Sequence, residues 1–191
     1  MEKRGSWKII FFIIGIVLVL ILIVGMFFYF ALAGPDYTVD YENQVTLGQI
    51  KNPAAGLTKE QAEARFDESF VFYLLVNIKA YNLHNPPLSS DTPKMEIKVG
   101  EDIYNAEVVS GKISVKSGEL NNKDVVIVTS KEEALKMMND SSYVQQSFEQ
   151  SLSSIELVAD ETTLFSKGYL TIYNELTGKG VTGSVIKLYS E

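Results

Sequence analysis

The sequence predicts an α+β fold: a single N-terminal transmembrane helix, followed by one mostly antiparallel sheet with helices packed on one face. Three observations carry this. Residues 9–33 form a charge-free apolar run of 25 residues. Residues 94–116 alternate apolar and polar between two-residue glycine turns, the pattern of a strand meander. Segments opened by Thr58 and Ser130 carry helix-capping signals and apolar residues at helical spacing.

The apolar run comes first in the chain. A bilayer core takes about 20 apolar helical residues, because every backbone polar group must be paired within the segment. The run is longer than the roughly 7–15 apolar residues of a signal peptide, although Ala31-Leu32-Ala33 has the small-x-small form of a cleavage site. Lys3-Arg4-Gly5 ahead of an apolar run has the form of a prepilin processing site, but Ser6-Trp7-Lys8 delays the run. Lys3, Arg4 and Lys8 precede it, and no Lys or Arg follows before Lys51. The positive-inside bias therefore predicts a cytoplasmic tail (1–8), a span (9–33), and a C-terminal domain outside the cytoplasm at the cell membrane. Trp7, Tyr29 and Tyr37 suit the two interfacial belts.

Beyond the span remain 14 basic against 23 acidic residues, a net charge of −9. Such a surface repels nucleic acid. There is no cysteine, which excludes disulfides, thiol catalysis and thiolate metal sites. Asn139-Asp140-Ser141 is a glycosylation sequon.

Residues 34–57 hold Gly34, Pro35, Gly48, Pro53 and Gly56 with little periodicity and read as a linker. If flexible, a linker of that length reaches about 25–30 Å. The domain is expected over 58–191. Thr58 to Gln61 is a capping box that predicts a helix to about Glu68. Phe70 to Tyr81 alternates and predicts a long strand with Phe72, Leu74 and Val76 on one face. Strands follow at 94–99, 103–109 and 112–116, joined at Gly100-Glu101 (a type II′ turn) and Ser110-Gly111. Val125 to Val128 is an unbroken β-branched run, expected to be covered on both faces. Ser130 opens a helix through Met138, and Val144, Phe148, Leu152 and Ile155 make one apolar stripe of a further helix. Gly168 to Tyr173 reads as a last strand, and the tail to Leu188 is open between strand and helix.

From Lys94 onward the punctuation resembles the sterol carrier protein family. The residues that carry it are the hairpin strand ending at Gly118-Glu119, Asp124 entering Val125-Val126-Ile127-Val128, the Ser130-capped helix with Glu132, Glu133, Leu135 and Met138, and Phe165-Ser166-Lys167-Gly168-Tyr169-Leu170-Thr171-Ile172 as a closing strand. Phe70 to Ala80 fits the family's first strand, and the match covers about 58–191. The resemblance implies a domain that holds lipids or other long apolar molecules between sheet and helices. The implied lining is Phe72, Leu74 and Val76 with Leu135, Met138, Val144, Phe148 and Leu152. Ordinary core residues have the same character.

Catalysis finds no support. His84 is the only histidine and sits in a proline-rich loop. Glu132-Glu133 suits a helix N-terminus and Asp160-Glu161 a solvated turn. No nucleophile is spaced to a base, and no acidic loop has calcium-site spacing. Gly178, Gly180 and Gly183 give G-x-G-x-x-G, but no βαβ unit precedes it. The expectation is therefore a membrane-anchored, non-catalytic, lipid-binding domain with the bilayer and an apolar ligand as partners and no cofactor or metal. The rival is a structural protein: a surface-filament (pilin-like) subunit or an accessory subunit of a membrane complex.

Overall fold

The computed structural model describes residues 14–24, 44 and 49–179. The chain divides into two compact units, 1–36 and 37–191. In the first, residues 14–24 are helical and exposed. Among the described residues no helix is long and apolar enough to cross a membrane. Most of the 9–33 run, with the tail before it and the segment from 180 onward, lies outside them.

The second unit is α+β. Its elements are α1 (Lys59–Ala64), α2 (Glu68–Asn77), a 3-10 turn (Ala80–Asn82), β1 (Lys94–Val99), β2 (Asp102–Val109), β3 (Lys112–Ser117), β4 (Val125–Thr129), α3 (Lys131–Asn139), α4 (Tyr143–Glu149), β5 (Ser154–Leu157), α5 (Glu161–Ser166) and α6 (Tyr169–Thr177). The five strands form one mixed sheet in the order β3-β2-β1-β4-β5. β1 and β4 run parallel, and the other three pairings are antiparallel.

Turn chemistry builds the meander. Val99 pairs with Asp102 across Gly100, whose φ is +62°. Glu101 keeps a negative φ, as a type II′ turn requires. Val109 pairs with Lys112 across Ser110 and Gly111, both with positive φ, the type I′ form. The pairing register puts Met95, Ile97, Val99, Tyr104, Ala106, Val108, Val125 and Ile127 on one face, where all are buried. The opposite face carries Lys94, Glu96, Lys98, Asn105 and Glu107.

Residues 118–124 cross this polar face from β3 to β4. Glu96 lies beneath them, 1% exposed. Its carboxylate accepts from Lys123 Nζ at 2.6 Å and from the Leu120 N–H at 3.1 Å. Val126 is buried under the same crossing, while Val128 beyond it is exposed. Coverage on both faces therefore holds for only part of β4.

Four further sequence expectations are corrected. Residues 70–81 are not a strand: Glu68–Asn77 is helix α2, capped by Asp67, whose side chain accepts from the Ser69 N–H. The apparent alternation was illusory, because Phe70, Val71, Tyr73, Leu74, Leu75 and Val76 are all buried. A helix that is apolar all round shows no helical period. Gly168 to Tyr173 is likewise no strand but the start of helix α6, with glycines in the left-handed region at both ends. The sheet closes instead with β5, from the stretch read as the end of an apolar helix; α4 stops at Glu149. α1 stops at Ala64, short of Glu68, although its capping box forms in full between Thr58 and Gln61.

Candidate functional site

α1 and α3 lie side by side, and the turn before α1 completes a half-open cleft of about 210 Å³. Ala54, Leu57, Ala62 and Leu135 give it an apolar floor, and Lys59, Glu132, Lys136 and Asn139 stand at its polar edge. Each wall has a local cause. Asn52 donates to the Met138 carbonyl at 3.0 Å and accepts from the Ala54 N–H at 2.9 Å, which pins residues 52–54 to the end of α3. Asn77 donates to the Met137 carbonyl at 2.9 Å, so two asparagines from outside α3 satisfy its terminal carbonyls. Ile50 and Leu57 pack against the core, so the last residues of the segment read as a linker belong to this domain.

The rim is an ion-pair chain. Glu132 accepts from Lys59 at 2.6 Å and from Lys136 at 3.0 Å. Hydrogen bonds from Lys59 and then Lys136 hold its carboxyl down at about 2, and hydrogen bonds to Glu133 and then Glu132 raise the Lys136 ammonium well above its ordinary value. Both lysines stay charged and face apolar floor on one side and water on the other.

Behind the cleft Glu133 turns inward. Ser130 caps α3 by accepting from the Glu133 N–H, but the Glu133 carboxylate does not close the capping box. It accepts instead from Lys136 (2.8 Å), Tyr143 Oη (2.8 Å) and Ser147 Oγ (3.1 Å). Ser147 continues to Ser153 at 2.9 Å, and Ser153 to Thr129 at 2.8 Å. Burial pushes the Glu133 carboxyl up, and these donors pull it down further, so it ends below its ordinary value. The three hydroxyls are buried and all bonded, an arrangement that fixes packing and exposes no nucleophile.

A second buried charge lies at the far end of the sheet. Lys167, 1% exposed, donates to both Asp124 oxygens at 3.0 Å, to Asp91 at 2.8 Å and to the Thr92 carbonyl at 3.0 Å. Tyr169 Oη joins Asp124 at 3.0 Å. Burial, then the Asp124 charge, pushes the Tyr169 hydroxyl well above its ordinary value.

Of the eight residues the resemblance marked as lining, all but Leu152 lie in or against one hydrophobic core. Leu135 alone lines the cleft. Leu74, Val76, Met138, Val144 and Phe148 are buried in the core, and Phe72 is partly buried against it. Leu152 is 47% exposed, in the turn that links α4 to β5. On a helix, Leu74 lies about 200° from both Phe72 and Val76, so the three do not share one face, although Phe72 and Val76, four residues apart, do. Ala54 and Leu57 were hidden in a stretch that read as linker; their only signal was the apolar spacing just ahead of the Thr58 cap. His84 is exposed, with Nδ1 3.0 Å from the Asn85 carbonyl. Asp160, read as a solvated turn, is the N-cap of α5. Among the described residues no group of three or more His, Cys, Asp or Glu is placed to hold a metal ion.

No family model matches the chain, and no curated protein does. Solved structures do. Palmitated SCP2L2 from Aedes aegypti is 21% identical, with 54% of this chain and 94% of that one covered and a TM-score of 0.33. The UbiJ-SCP2 ubiquinone synthesis protein is 9% identical, with 68% and 98% covered and a TM-score of 0.32. A stereoselective inverting sec-alkylsulfatase from Pseudomonas sp. is 13% identical, with 61% of this chain covered and a TM-score of 0.37; the chain spans only 17% of that enzyme.

Proposed function

We propose that the protein is a membrane-tethered domain that takes up an apolar or amphiphilic ligand outside the cytoplasm and performs no covalent chemistry on it. The observation that carries this reading is the cleft between α1 and α3, which sets an apolar floor beside a charged rim, the polarity of a lipid with its headgroup. Its volume is below the roughly 300–1,000 Å³ of sites that enclose a drug-sized molecule. It therefore suits the end of an acyl chain with the rest of the ligand outside. The charge-free run at 9–33 and the basic flank before it support the tether and its orientation.

The test is photolabelling of the full chain in lipid nanodiscs with a photoactivatable fatty acid, followed by peptide mapping. Adducts on 54–62 and 135–139, lost when Ala62→Phe fills the cleft floor, are the expected result. Adducts confined to 9–33 leave a membrane protein whose domain takes no such ligand.

A further inference from the structure

Two ammonium groups beside an apolar floor suit a fatty carboxylate, because charge-assisted hydrogen bonds are the strong ones. In the cleft between α1 and α3 the chain supplies that carboxylate itself. Lys59 opens α1, and Lys136 lies in the last turn of α3. Glu132, one turn before Lys136 on the same helix, reaches both. One of its oxygens accepts from Lys59 Nζ at 2.6 Å and the other pairs with Lys136 Nζ at 3.0 Å. Lys136 is committed further: it donates to Glu133 at 2.8 Å and stands 5.9 Å from the centre of the Tyr143 ring. Lys59 is not. An ammonium has three N–H donors, and Lys59 gives one to Glu132, while Glu63 lies 3.9 Å away, too far to accept a hydrogen bond. Lys131, whose ammonium reaches the Glu63 carbonyl, is paired with Asp102 at 2.8 Å. The rim therefore sets Lys59 and Lys136 against Glu132, Glu133 and Glu63, and keeps one ammonium with donors to give.

We propose that Glu132 is a built-in decoy carboxylate that sets the ligand class of the cleft: acyl chains that end in an uncharged hydrogen-bond acceptor, such as an ester carbonyl, in preference to free fatty acids. The proposal rests on the ligand-binding reading above. A ligand carboxylate at the rim either displaces Glu132 from both lysines, which leaves one carboxylate unpaired, or stands beside it, which sets like charges together. An ester meets neither cost. Its carbonyl takes a donor that Lys59 still has, and its chain lies on Ala54, Leu57, Ala62 and Leu135. The preference is modest, because the Lys59 and Glu132 side chains are 52% and 48% exposed and exposed pairs contribute little. It is added to the burial of the acyl chain, which acid and ester share, so the acid also enters the cleft, at lower occupancy.

Paired photolabelling of the full chain in nanodiscs, with a photoactivatable fatty acid and with its methyl ester, tests this. At about pH 9 the acid is ionised even where the bilayer surface raises its carboxyl, and Lys59, raised by its bond to Glu132, stays charged. Adducts on 9–33 measure how much of each probe is in the bilayer, and adducts on 54–62 and 135–139 are read relative to them. In the native chain the ester should exceed the acid by about two- to five-fold, the range that an exposed ion pair supplies. Glu132→Gln should bring the acid level with the ester or above it, and Lys59→Met added to Glu132→Gln should remove that gain. A Glu132 that serves only the N-terminus of α3 predicts instead a lower melting temperature and an unchanged ratio. Equal labelling by acid and ester in the native chain, or a ratio that Glu132→Gln does not move, overturns the decoy and leaves the cleft a ligand site. Cleft adducts absent with both probes overturn the ligand-binding reading, and the decoy with it.

Discussion

Lys167 shows how much one side chain can hold in this domain. Its ammonium binds the start of β4 through Asp124, the loop before β1 through Asp91 and Thr92, and lies next to α6. Removing one partner of a buried pair leaves the other charge uncompensated, at a cost of about 3–5 kcal/mol. Lys167→Ala should lower the unfolding free energy by about that much in urea titrations followed by circular dichroism. Asp91→Asn, at the exposed end, should cost under about 1 kcal/mol. The buried carboxylates make stability depend on acid. For Glu96 and Glu133 burial raises the carboxyl, but hydrogen bonds and nearby lysines lower it more, so both titrate in the folded state below their ordinary 4.5. The unfolded chain takes up these protons first as pH falls. Their contribution is therefore complete above about pH 4.5 and lost as pH drops through the folded values. The melting temperature should fall between pH 5 and 3, and Glu133→Gln should fall less steeply.

At the scale of elements, α2 and α6 decide the architecture. Leu75 is fully buried at the centre of α2, and Leu75→Ala should destabilise by about 2–5 kcal/mol, read from the denaturation midpoint. Gly178 ends α6 at φ +64°, and a methyl group there would meet Glu149 Oε1 at 2.6 Å. That atom is the tip of a flexible side chain, so Gly178→Ala should cost about 1 kcal/mol through backbone strain and should shift the melt without changing the cleft. These elements also mark what the sequence makes legible. The hairpins could be read because Gly100, Ser110 and Gly111 are demanded by their turns, and the caps at Thr58 and Ser130 because a side-chain oxygen has one obvious duty there. α2 was hidden by burial all round. α6 did carry the helical spacing Tyr169, Ile172 and Leu176, but the β-like run Gly168 to Tyr173 overrode it. With 70–81 read as a strand, Phe72, Leu74 and Val76 fall on one face, which helix α2 does not give all three. Leu135 on α3 is the one of the eight that also lines the cleft.

For the molecule as a whole, the sheet separates two tasks. Its apolar face takes the helices and the core, and its polar face carries the crossing from β3 to β4, pinned by Glu96. This gives the central strand β1 two neighbours acquired by different routes. The β1–β2 hairpin closes between Val99 and Asp102, whereas the β1–β4 pairing joins Met95 to Val125. Local pairs close early and distant ones late, because the chain entropy of the intervening loop must be lost first. The strap over Glu96 then belongs to what forms after the folding barrier and resists passage back across it. Glu96→Ala should leave the refolding arm of the chevron where it is and steepen the loss on the other side, with unfolding several-fold faster. The buried carboxylate on the polar face would then set how long the folded domain lasts, and the glycine turns on the same sheet how quickly it is reached.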